Sequence, residues 1–133
     1  MNLVAVLIGG LVGTGMRLGI DALLPHGDGD FPLSTLVINV TGAFVLGMLV
    51  GRVWPSAPSW LRFGLGTGLL GSFTTFSALV ASVFTLAQAG AMGTGLLYLA
   101  VTLTAGIAAA AAGLLVGRPG SWRSSAPTIG ADE

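Results

Sequence analysis

The sequence predicts an all-α integral membrane protein whose four transmembrane helices include a third that breaks at its centre. Three observations carry that prediction. Only five basic and five acidic residues occur among 133, 53% are hydrophobic and the mean hydropathy is +0.92, whereas a soluble domain is about a quarter charged. Turn and charge signals leave four apolar segments, each near the ~20 residues that a helix rising about 1.5 Å per residue needs to cross a bilayer. The third of these holds Gly71-Ser72-Phe73-Thr74-Thr75-Phe76-Ser77, four hydroxyls and two phenyl rings at membrane depth. Hydrocarbon offers no water to a stray donor or acceptor, so such groups face a partner, a cavity or an ion path.

In chain order, the spans are expected at residues 3–24, 33–54, 61–87 and 93–116, within one four-helix transmembrane domain at residues 1–118. The first break, Pro25-His26-Gly27-Asp28-Gly29-Asp30-Phe31-Pro32, is rich in proline and glycine. The second, Trp54-Pro55-Ser56-Ala57-Pro58-Ser59-Trp60, is flanked by tryptophans. Both read as loops at the water interface. Gln88-Ala89-Gly90-Ala91 reads as a tight hairpin, and residues 119–133 read as a disordered cytoplasmic tail. The first span lacks a basic leader and contains Arg17, so it is expected to be retained rather than cleaved as a signal. Small residues recur four apart at Gly9 and Gly13, Gly15 and Gly19, Gly47 and Gly51, and Gly64 and Gly68. That spacing lets helix backbones approach closely. Most of these pairs are expected to pack within one bundle, and some between chains.

Lysine is absent, and the arginines are too scattered for a nucleic-acid surface. With four spans, Arg52, Arg62, Arg118 and Arg123 fall on one side and no basic residue falls on the other. The positive-inside rule makes that side cytoplasmic, together with both termini.

The intramembrane polar residues are the candidates for function. Asn39 lies near the middle of the second span, with Thr35 and Gly42 on its face; its amide either ties helices together or donates to a permeating anion. A cluster of hydroxyls beside glycines around Thr74 favours a local helix break, where freed carbonyls can hold a cation, or else a simple kink. Arg17 either snorkels to the interface or lines an aqueous anion vestibule. Tyr98 and Thr102 share a stripe of the fourth span with Gly106, while Thr104 points elsewhere. Enzyme readings find no support. There is no cysteine, no nucleophile with a base and no phosphate loop, and His26 beside Asp28 and Asp30 reads as a solvated turn rather than a metal site. Proton-coupled antiport would need an acid deep in the membrane, and the nearest, Asp21, lies near a helix end.

With these residues in view, the chain resembles the Fluc family of bacterial fluoride channels. The resemblance rests on first-span Gly9-Gly10…Gly13…Arg17, second-span Thr35-Leu36-Val37-Ile38-Asn39-Val40-Thr41-Gly42-Ala43-Phe44, and third-span Gly71…Thr74-Thr75-Phe76-Ser77. It implies an antiparallel dual-pore dimer in the bacterial cell (inner) membrane, passing cytoplasmic fluoride outward passively and so relieving fluoride toxicity. Asn39, Phe76, Leu79, Thr35, Tyr98 and Thr102 are the expected pore-lining positions, and Arg17 the vestibule residue. It further implies a structural sodium ion, Na+, held by backbone carbonyls at Gly71 and Thr74 and not transported. The chemistry is consistent: a small, tightly hydrated anion needs neutral donors and the positive edges of phenyl rings, since a fixed charge would hold it too tightly.

The chain departs from the family pattern at Leu79, where the motif usually supplies a second pore-lining phenyl, and at Ser82, where an acid is frequent. An antiparallel homodimer of this chain would lack a ring in both pores, and the arginine bias fixes a single orientation. A heterodimer with a homologous chain inserted the opposite way resolves both difficulties, with a homodimer that tolerates leucine as the rival. Two further functions remain open: a different small-solute transporter of four-helix antiparallel architecture, and a non-conducting membrane assembly subunit.

Overall fold

The computed structural model describes residues 1–25, 27 and 30–118; His26, Asp28 and the tail at 119–133, which includes Arg123, lie outside the described residues. Among the described residues, four helices are long and apolar enough to cross a membrane, at Asn2–Leu23, Leu33–Arg52, Ser59–Gln88 and Met92–Gly117. No strand occurs among the described residues. We number the helices α1 (Asn2–Leu23), α2 (Leu33–Arg52), α3 (Ser59–Arg62), α4 (Gly71–Phe73), α5 (Phe76–Gln88) and α6 (Met92–Gly117), with a π-helical stretch at Phe63–Leu70 between α3 and α4. The chain is a multi-pass membrane protein.

The third span is the irregular one. Its 30 residues would reach about 45 Å as one straight helix, well beyond the ~30 Å hydrocarbon core. Two irregularities interrupt it. The π-helical stretch carries Gly64, Gly66 and Gly68 and ends where the Gly71 N–H meets the carbonyls of Gly66 and Gly68; π geometry is rare and clusters at functional sites. Thr74 (φ −77, ψ 152) and Thr75 (φ −147, ψ 117) are then fully extended and separate α4 from α5. At its far end α5 closes with a left-handed turn. Gly90 has φ +77, its N–H reaches the Ala87 carbonyl at 3.1 Å, and the Ala91 N–H reaches Leu86 at 2.8 Å. This is the Schellman arrangement that glycine makes possible without Cβ strain.

The helices pack as two close pairs, α1 against the π-helical stretch and α2 against α6, with α5 leaning on α6. Glycine sets both close contacts. A Cβ at Gly9 would meet the Gly64 carbonyl and one at Gly13 the Leu69 carbonyl. Likewise Gly47 faces the Ala110 carbonyl, and Gly113 the Phe44 carbonyl. Such backbone proximity supplies the dispersion contact that must hold helices together in lipid. Gly15 and Gly19 have open space instead, as do Gly93 and Gly106. The sealed interior is correspondingly small: Ile38, Leu70 and Phe73 form the buried cluster, against which Ile20, Val45, Leu49 and Leu69 pack.

These contacts sort the glycines by their tolerance of a side chain. Gly113→Val inserts a branched side chain into the α2–α6 seam, and overpacking of this kind costs about 1–3 kcal/mol. The thermal unfolding midpoint of the detergent-solubilised protein is expected to fall by several degrees, whereas Gly93→Ala is expected to leave it unchanged.

Candidate functional site

The site is built around the break in the third span. In an α-helix each N–H bonds the carbonyl four residues earlier, and the last such bond before the break is that of the Thr74 N–H on the Leu70 carbonyl at 3.0 Å. The Thr74 hydroxyl donates to the same carbonyl at 2.8 Å. Beyond this point side chains take over. The Thr75 N–H donates to Asn39 Oδ1 at 2.8 Å, and Asn39 Nδ2 donates to the Thr75 carbonyl at 3.1 Å, a two-point pairing between α2 and the break. Thr75 also caps α5, its hydroxyl accepting from the Ala78 N–H at 3.1 Å and lying 3.1 Å from the Ser77 hydroxyl. An N-cap threonine at the start of an apolar run serves one of the orphan donors at a helix start.

Beside the break lies a groove of about 430 Å3 between α2, the third span and α6. It brings together Asn39, Gly71, Thr74, Phe76, Leu79 and Thr102 of the expected site residues. No ionisable side chain lines it. Phe76 is 71% exposed, while Leu79, one turn later, is 2% exposed. Asn39 spends one amide hydrogen on Thr75 and retains a second. Asn39 thus ties α2 to the third span, with one donor left over.

Two polar clefts flank this groove. One, of about 380 Å3, is lined by Thr14, Arg17, Ser72 and Ser77, and shares Gly71, Thr74, Thr75 and Phe76 with the groove. The Arg17 Nε there is buried without a hydrogen-bond partner. The other, of about 290 Å3, sits towards the first loop, with Asp21, Asp30, Thr35, Ser82 and Thr85 in its walls. Asp30 also accepts from the Gly27 N–H at 3.1 Å. Between that cleft and the groove lies Tyr98, fully buried, its ring edge-on to Phe31 at 5.3 Å. The Tyr98 hydroxyl lies beside those of Thr35, Ser82 and Thr102, and neither it nor the Thr102 hydroxyl meets a partner at close hydrogen-bonding geometry. A row of buried hydroxyls held this loosely is a path on which a polar ligand gains donors. A larger apolar groove of about 570 Å3 is lined by Val4, Ile8, Val12, Trp60 and Leu65 among others, and the Trp60 indole N–H is the one side-chain donor in its walls.

The expected residues therefore sort by depth. Six meet in the central groove, Arg17 stands in the neighbouring cleft, Thr35 lines the cleft towards the first loop, and Tyr98 is enclosed between them. Sequence reasoning passed over three features. Thr75 was read only as part of a motif, although a threonine directly before the apolar run 76–81 is itself an N-cap signal. Ser82 shares a cleft wall with Thr35, a contact between spans that no local pattern announces. The π-helical stretch has no distinctive residue pattern beyond its alternate glycines.

Comparison with known proteins fits this geometry. Residues 4–114 match the family model described as CrcB-like protein, Camphor Resistance (CrcB). A protein of Methylobacterium sp. (strain 4-46) named fluoride-specific ion channel FluC is 37% identical over 113 residues, covering 84% of this chain and 91% of its own. Fluoride-specific ion channel FluC 2 of Geobacillus kaustophilus is 38% identical over 124 residues, covering 90% and 95%. The FluC of Agrobacterium fabrum is 37% identical over 122 residues, covering 89% and 97%. With four membrane spans and a match of this extent, the chain belongs to the CrcB family, whose curated relatives carry the name fluoride-specific ion channel FluC.

Proposed function

We propose that this chain is a fluoride channel subunit, not an enzyme, and that it lets cytoplasmic fluoride leave the cell passively. The observation that carries this reading is the uncharged central groove. Asn39 offers an amide hydrogen, Thr102 a buried hydroxyl, and Phe76 a ring edge, and no ionisable group stands among them. Neutral donors replace the water of a small anion in several weak steps, which conduction requires, and the positive edge of a phenyl ring adds to them. Thr35 and Tyr98 extend the row of hydroxyls towards the first loop, and Arg17 raises the local anion concentration in its cleft without standing in the groove.

Sodium is the proposed structural ion, with Gly71 and Thr74 its ligands through backbone carbonyls. The residues present suit it. The Thr75 N–H that would serve the Gly71 carbonyl goes to Asn39, and the Ala78 N–H that would serve the Thr74 carbonyl goes to the Thr75 hydroxyl. Both carbonyls lose their helical donors, and hard cations take oxygen ligands of this kind. The ion would supply fixed positive charge to the break.

The assembly we propose is an antiparallel heterodimer in the bacterial inner membrane, with both termini of this chain cytoplasmic. The exposed Phe76 ring extends beyond its own subunit, and the inward position one turn later is leucine. A groove of this chain met by a partner ring therefore lacks its second phenyl. The reverse pairing, Phe76 against a partner that keeps that phenyl, makes a complete pore. The bias of Arg52, Arg62 and Arg118 to one side of the four spans accords with a single orientation.

Proteoliposomes holding the chain with its partner are expected to release fluoride passively and chloride poorly, as read with ion-selective electrodes; comparable fluxes would sink the channel reading. Asn39→Asp places a carboxylate where an anion must pass, and fluoride flux in that variant is expected to fall to background.

Topology gives an independent check on the heterodimer. A C-terminal reporter is expected to read out on the cytoplasmic side only, and this chain alone is expected not to protect a fluoride-sensitive host. Co-expression of an oppositely oriented homologue should restore growth. Protection by this chain alone, with the reporter on both sides, would replace the heterodimer with a dual-topology homodimer.

A further inference from the structure

We infer that Asn39 and Thr75 are positioning residues for the cation site, each diverting the one backbone N–H that would otherwise occupy a ligand carbonyl. The inference rests on the sodium reading above and explains what creates that site. Helical geometry assigns the Thr75 N–H to the Gly71 carbonyl and the Ala78 N–H to the Thr74 carbonyl. In this fold the first donates to Asn39 Oδ1 at 2.8 Å and the second to the Thr75 hydroxyl at 3.1 Å. Two different side chains thus release two carbonyls three residues apart.

The release has to be held in place, because an extended pair of residues within a membrane span would otherwise return to the helical ladder. Asn39 holds it at two points, accepting from the Thr75 N–H and donating to the Thr75 carbonyl at 3.1 Å. This pairing fixes the plane of the Thr75 residue at φ −147, ψ 117. The preceding carbonyl, that of Thr74 at ψ 152, is thereby turned away from the helical direction. Thr75 contributes a second function through the same residue, since its hydroxyl starts α5 and so sets the position of Phe76.

Asn39 also lines the central groove, so one side chain belongs to both the anion path and the cation site. Whatever binds at one of these places favours the arrangement of the Thr75 peptide that the other requires, and such coupling is reciprocal. The cation site and the pore are therefore expected to respond together to changes at Asn39 and separately to changes at Phe76.

The test is a sodium titration of the full chain, purified from membranes in its native assembly, with NaCl replacing N-methylglucamine chloride at constant ionic strength. The readout is the sodium concentration that gives half of the shift in tryptophan fluorescence or unfolding midpoint. Thr75→Ser keeps the capping hydroxyl and should stay within about twofold of the native half-saturation, while the isosteric Thr75→Val and Asn39→Ala should weaken it by about tenfold or more, as loss of outer-shell support does at metal sites. Ile38→Val, beside Asn39 and fully buried, should lower the unfolding midpoint without moving the half-saturation. Phe76→Ala should lower fluoride flux and leave sodium binding unchanged. If Asn39→Ala fails to assemble, the Thr75→Ser and Thr75→Val pair decides the matter. Native half-saturation in Thr75→Val overturns the inference and leaves the sodium reading standing, and no sodium response in the native assembly overturns both.

Discussion

The structure depends on how a membrane span can stop being a helix without stranding its backbone in hydrocarbon. Each unsatisfied peptide group there costs several kcal/mol, and extending Thr74 and Thr75 leaves donors and acceptors outside the ladder. The chain meets that demand with side chains: Asn39 pairs with both polar groups of Thr75, the Thr75 hydroxyl takes the Ala78 N–H, and the Thr74 hydroxyl joins its own N–H on the Leu70 carbonyl. Every functional feature proposed for the chain is referred to this repair. It places Phe76, releases the Gly71 and Thr74 carbonyls, and leaves one amide hydrogen of Asn39 facing the groove.

The glycine seams decide why the break sits where it does. α1 approaches the π-helical stretch so closely that Gly9, Gly13 and Gly68 lack room for a side chain and Gly64 has little to spare, which anchors the first half of the third span. α2 and α6 are locked together in the same way through Gly47, Gly51, Gly113 and Gly117. α2 touches the third span far more sparingly. The pairing of Asn39 with Thr75 is therefore the polar tie between two tightly packed pairs, and Gly42, whose Cβ would run into the Thr74 methyl group and Phe73, lets that tie close. Packing and polar satisfaction meet at one point in the fold.

The spans and the location of the break were legible in the sequence because both rest on composition: apolar runs of spanning length, and a hydroxyl cluster where hydrocarbon permits none without a purpose. The gathering of Asn39, Phe76, Leu79 and Thr102 into one groove could be expected only through the family resemblance, since it depends on how three spans pack. The chain of bonds from Asn39 through Thr75 was not legible at all. Asparagine at membrane depth announces that a partner exists but not which peptide it meets 36 residues later. The use of Thr75 as a cap was written locally, in its position before an apolar helix, and is recoverable from the rules for helix starts. The empty space at Gly15, Gly19 and Gly106 likewise shows that spacing alone does not say whether a small residue serves its own bundle or another surface.

The contrast between Phe76 and Leu79 supports the proposed asymmetric assembly further than sequence alone does. The two positions are three residues apart on α5, yet one ring projects outward at 71% exposure and the other side chain is enclosed at 2%. An exposed phenyl at membrane depth costs nothing, because lipid is as apolar as the ring, and Phe84 is exposed as well. In the antiparallel assembly proposed above, the edge of the Phe76 ring would meet the partner's groove, where it can face an anion. Leucine at the enclosed position fills its own groove with aliphatic atoms that have no comparable quadrupole. In the heterodimer proposed above, this chain would complete its partner's pore better than its own, and that inequality is the reason for proposing a partner that is related but not identical.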